Sequence, residues 1–166
     1  MNGKWQQLVD LLTDMLGIYR ALLTLSRQKR EILVAADTKE LERVTGSEEA
    51  LILRAGKLEV SRQNLVRDLA ADLGVAAEEL TLAKLTELAE EPVAEKLNAL
   101  YKDFALITGE LTRLNELNSR LIKQALQYIN YNINLLAQDS VNATYSAGPQ
   151  PSGSEAARRT LVDKKI

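Results

Sequence analysis

Adjacent carboxylates at Glu78-Glu79 and Glu90-Glu91 are side chains of this sequence that could attempt general acid–base chemistry. Such work needs two carboxyls held in a cleft with separated proton affinities. Both pairs stand instead at expected helix starts or loops, where acidic side chains favour the helix dipole. A solvated cap is the better reading of each. The 166 residues include no His and no Cys. This removes a histidine base, a thiolate nucleophile, a disulfide and a Cys/His zinc site. A di-iron site in a helical bundle would want Glu-x-x-His pairs, and their His is missing. Dinucleotide, phosphate-loop and Gly-x-Ser-x-Gly elements are also absent. The expectation is a protein that is not an enzyme and carries no metal or cofactor.

The chemistry left is that of surfaces. Residues 114–136 read LNELNSRLIKQALQYINYNINLL, with five Asn set among aliphatic residues at helical spacing. At about 100° per residue, Leu114, Leu117, Leu121, Ile122, Ala125, Leu126, Tyr128, Ile129, Ile133, Leu135 and Leu136 cover half the helix. Asn115, Asn118 and Asn132 fall inside that apolar half. Packing on one neighbour needs a stripe of only somewhat over 100°, so the face has apolar area to spare. Two neighbouring helices of a bundle could cover the whole arc and make Asn118 a buried amide that sets register. Alternatively, part of the face serves a second chain.

Charge and length bound the remaining classes. The formal net charge is −2, which gives no electrostatic case for nucleic acid. No run approaches the roughly 20 apolar residues of a membrane span, and the start MNGKWQQLVDLLTDML has no signal-peptide pattern. The expected location is cytoplasmic. Leu, Ala, Glu, Lys and Arg dominate while aromatics are 4%, a bias of long helices rather than strands.

The elements that must position the Asn-bearing face follow from periodicity. A first helix is expected over about residues 4–34 on Leu8, Leu12, Met15, Tyr19 and Leu22. The pattern pauses at Ala36-Asp37-Thr38. Either Asp37 or Thr38 caps a second helix there, or one helix continues with a register change. The second helix carries Val44, Ile52, Leu58, Val66 and Leu69 and stops at Gly74. Residues 75–89 read as short helical turns over an end of the bundle, and Trp5 and Phe104 as core anchors. Pro92 suits a first helical position, from which a helix of about 70 Å runs to about Ala137. By the same rise the first two helices are about 45–50 Å, so the end of the long one should protrude. Its heptad repeat, Leu100, Ile107, Leu114, Leu121, Tyr128 and Leu135, implies left-handed supercoiling. The fold class is therefore all-α: an elongated antiparallel helical bundle or coiled coil, residues 1–139, with an irregular low-complexity tail, residues 140–166. The tail carries +2 against −4 for the body, has Leu161, Val162 and Ile166 as anchors, and is expected to lie on its own bundle or a neighbour.

The run LNELNSRLIKQALQYINYNINLL resembles the C-terminal signature of the FlgN-like flagellar export chaperones. There an Asn precedes a Leu-Ile pair, and a Tyr-Ile follows about a turn and a half later. Thr144-Tyr145, the Gly/Pro stretch and Val162-Asp163-Lys164-Lys165 resemble the ending of family members from Gram-positive-type bacteria. The resemblance is strongest over residues 97–166. It implies a cytoplasmic chaperone that binds hook-associated proteins of the hook–filament junction, keeps them from premature assembly and delivers them to the type III export apparatus. Carried over by position, the partner-binding residues are Asn118, Leu121, Ile122, Ala125, Leu126, Tyr128 and Ile129. The rival reading is a structural coiled-coil adaptor, or a homo-oligomer closed through the long helix or the tail.

Overall fold

The computed structural model describes residues 2–145, with side-chain surroundings for residues 3–137. The described residues form α1 (Asn2–Ala35), α2 (Thr38–Leu73), α3 (Leu82–Leu88) and α4 (Val93–Tyr145), plus a 3-10 turn at Ala77–Glu79. No strand occurs among the described residues, and the fold is all-α. Two units divide the chain, Met1–Ala125 and Leu126–Ile166, with α4 contributing to each.

The break between α1 and α2 is chemical. Ala36 takes a left-handed φ of 55°. The N–H groups of Ala36 and Asp37 donate back to the carbonyls of Leu33 and Ile32, closing the last turn of α1. The Asp37 carboxylate then accepts from the Glu40 N–H at 3.1 Å and caps α2. The two helices are separate, and the register-change alternative is excluded. Gly74 ends α2 by the same motif at φ 68°, with the N–H of Val75 donating to the Ala70 carbonyl. Thr81 caps α3 through the Lys84 N–H. Pro92 lies one residue ahead of the position expected for it, immediately before α4, and its carbonyl accepts from the Lys96 N–H at 3.5 Å. Helix α4 runs past Ala137 to Tyr145 because residues 138–145 hold neither Gly nor Pro. Expectations for the tail beyond residue 145 lie outside the described residues.

Within the first unit, contacts between distant residues set the helix directions. Lys4 pairs with Asp72 at 2.6 Å, and Lys29 pairs with Glu48, so α1 and α2 run antiparallel. Arg20 meets Asp103 at 2.8 Å and Arg27 meets Glu110, so α4 runs parallel to α1. The core gathers at one end of this unit. Trp5, Leu8, Leu12, Met15 and Leu16 of α1 pack there with Val66 and Leu69 of α2 and Leu97 and Leu100 of α4. Leu80 and Leu85 of the connecting segment join this cluster, and Leu82 and Leu85 lie beside Leu8, Leu12, Met15 and Tyr19, several turns along α1 rather than over its end. Each fully buried Leu contributes about 1.5–3 kcal/mol. Trp5 is a core anchor, whereas Phe104 is half-buried beside the core and meets Tyr19 edge-on, ring centres 5.5 Å apart.

Candidate partner-binding face

Further along the first unit, where Leu23, Val44 and Leu114 are also buried, the interior admits polar side chains. Asn118 and Ser26 are both buried. The Asn118 Nδ2 donates to the Ser26 carbonyl at 2.9 Å and to its hydroxyl at 3.3 Å. Ser26 Oγ in turn donates to Asn115 Oδ1 at 3.3 Å, although Asn115 is exposed. Beside this layer the Lys29–Glu48 ion pair is largely buried and bridges α1 to α2. Together these groups edge a cleft of about 390 Å³ whose apolar walls are Leu22, Ile52, Leu111 and Ile122.

Of the four sequence-identified residues in this unit, Asn118 is buried, Leu121 half-buried, and Ile122 and Ala125 exposed. Asn118 thus takes the internal position that register-setting requires, while Ile122, one turn on, reaches the surface with 38% of its area accessible. Ser26 and the Lys29–Glu48 pair were not singled out from sequence, though a signal existed. The α1 stripe Leu8, Leu12, Met15, Tyr19, Leu22 continues in steps of four and three to Ser26 and Lys29, two polar residues on a core face.

In the second unit the three remaining residues, Leu126, Tyr128 and Ile129, are all exposed. Leu126, Ile129, Ile133 and Leu136 recur at steps of three, four and three, the spacing of a coiled-coil seam. Each is at least half exposed, Leu136 most of all at 69%. Asn132 donates to the Tyr128 carbonyl of its own helix and so needs no outside acceptor. From Gln124 to Gln138 no residue is charged. Among the described residues, no helix is long and apolar enough to cross a membrane. Among the described residues there is also no group of three His, Cys, Asp or Glu side chains placed to hold a metal ion.

A family model described as FlgN protein matches residues 1–153. The chain belongs to the FlgN family. It is accordingly a FlgN-like flagellar export chaperone. The match takes in all of α1 to α4, not the C-terminal signature alone. A relative in Bacillus subtilis (strain 168), the uncharacterized protein YvyG, is 28% identical over 158 residues. That alignment covers 95% of this chain and 96% of the relative. No solved structure matches the chain. In this FlgN-family chain the resemblance-derived residues therefore divide by burial. Asn118 belongs to the interior of the first unit, and Ile122, Ala125, Leu126, Tyr128 and Ile129 face solvent.

Proposed function

We propose that this protein is a cytoplasmic export chaperone that binds hook-associated proteins of the hook–filament junction and holds them until type III export. An amphipathic helix of the client packs on the solvent-facing side of α4, on Leu121, Ile122, Ala125, Leu126, Tyr128 and Ile129, with Asn118 at the inner edge. The observation that carries this reading is the exposed seam Leu126, Ile129, Ile133, Leu136. Unpartnered aliphatics at that regular spacing are the counterpart of another helix and are costly to leave in water. Family membership supplies the class of client.

Burying each Leu or Ile contributes about 1.5–3 kcal/mol before the ordering costs of binding. Sequestering such a client surface is also how premature association would be prevented. Handing the complex to the export apparatus is part of the same proposal.

The test is co-purification of hook-associated proteins with the wild type and with Leu121→Ala/Ile122→Ala/Ile129→Ala. Loss of the client with helicity retained supports the face. Equal recovery removes it from the mechanism. The same seam is self-complementary, and sedimentation separates that homo-oligomeric alternative: a dilute monomer forming a 1:1 complex supports the chaperone, a salt-insensitive dimer the alternative.

A further inference from the structure

The Asn118 amide is half satisfied. Its Nδ2 is committed to Ser26, yet its Oδ1 is sealed from solvent without a hydrogen-bond donor. A buried acceptor in that state forfeits its hydration and gains nothing in return. An aliphatic side chain at 118 would avoid the penalty, so register alone does not account for the oxygen. Asn118 also lines the 390 Å³ cleft of the first unit, whose walls include Leu22, Ile52 and Ile122. Lys29 and Glu48 at the edge of that cleft neutralise each other.

We propose that this cleft is a specificity pocket for one neutral hydrogen-bond donor on a client helix, the amide of Asn or Gln or the hydroxyl of Ser or Thr. The donor bonds to Asn118 Oδ1 while its aliphatic neighbours pack on Leu22, Ile52 and Ile122. The inference rests on the client-binding reading above and adds the chemistry that selects the client. A cationic donor would enter a pocket with no unpaired anion and lose its hydration. A purely apolar residue would leave the acceptor orphaned, so it is discriminated against. Ile122, one turn beyond Asn118 on the same face and partly exposed, is the side chain that turns aside to admit the donor.

The experiment is a thermodynamic cycle between a purified hook-associated protein and this chain. Each Asn, Gln, Ser and Thr of the client's terminal helices is replaced by Leu, and affinity is measured for the wild type and for Asn118→Leu. One client position is expected to cost about tenfold in affinity with the wild type and less than about twofold with Asn118→Leu. Thermal denaturation of Asn118→Leu, which gives up the Nδ2 bonds to Ser26 together with the orphaned oxygen, checks that the bundle still melts in one cooperative transition. Ile52→Lys, placed on the exposed rim, gives a second route and should weaken the client about tenfold without unfolding the chain. Identical client profiles for wild type and Asn118→Leu, or unchanged binding by Ile52→Lys, overturn the pocket while leaving the client-binding face standing. No binding of any hook-associated protein to the wild type removes both.

Discussion

The Nδ2 of Asn118 donates to the carbonyl oxygen of Ser26 at 2.9 Å, tying α4 to α1 through a buried bond between residues 92 positions apart. Because the acceptor is backbone, Ser26→Ala keeps this bond and loses only the two 3.3 Å hydroxyl contacts. It should destabilise by about 1 kcal/mol or less. Asn118→Asp replaces the donor with a carboxylate facing two oxygens and should cost about 3 kcal/mol or more. Urea denaturation of the two variants measures both, and comparable losses would contradict the bond as drawn.

Two helix ends share one left-handed motif with different residues. Gly74 adopts φ 68° at no steric cost, whereas Ala36 holds φ 55° with a Cβ that disfavours it. Gly74→Ala should therefore destabilise by roughly 1–2 kcal/mol, although a Cβ there meets nothing within 4 Å. Ala36→Gly should stabilise, by about 0.5–1 kcal/mol after the entropy of the unfolded glycine is counted. Opposite signs in melting temperature are the expected result.

The Lys29–Glu48 pair joins α1 to α2 with side chains only 17% and 12% accessible. Removing one partner, as in Lys29→Met, strands a partly buried charge and should cost about 3 kcal/mol. Lys29→Met with Glu48→Leu together should recover most of that loss. A double variant as unstable as the sum of the singles would contradict the coupling.

Acid sensitivity has a local source in α2. The hydrogen bond from Arg62 holds the Glu59 carboxyl below the ordinary carboxylate range, outweighing its partial burial. A depressed folded-state value means that the stabilisation is present above the unfolded carboxyl's titration and lost as pH falls through the folded one. Being partly exposed, the pair contributes less than about 1 kcal/mol. Glu59→Gln should thus be slightly less stable than wild type at neutral pH and equal to it in strong acid, by urea midpoints at each pH.

Helix identity was legible in the sequence because its signals are local. Gly74 as a stop and the three- and four-residue steps of α1 act within one or two turns, whereas the sequence left open whether Asp37 or Thr38 capped a second helix or one helix continued. Burial along α4 was not legible. Asn115, Asn118 and Asn132 occupy the same apolar arc, yet Asn115 is exposed, Asn118 is buried on Ser26 and Asn132 bonds its own helix. Which part of an arc is covered depends on where neighbouring helices lie, and periodicity carries no information about that. Ile52 belongs to an apolar stripe and is 59% exposed for the same reason.

The absence of charge from Gln124 to Gln138 sets the character of the candidate interface. Client affinity should change by less than about twofold between about 0.05 and 0.5 M salt, since no ion pairs there are available to screen. Calorimetric titration at the two ionic strengths measures it, and a tenfold loss would assign the binding to charged residues elsewhere.

Amide hydrogen exchange, with and without a saturating purified hook-associated protein, reads residue by residue whether the client docks on α4. Helical amides under an uncovered surface open readily, and a docked helix slows them. New protection is expected along α4 from about Leu121 to Leu136. Protection confined to α2 or α3, with that stretch of α4 exchanging as in the free chain, would contradict it.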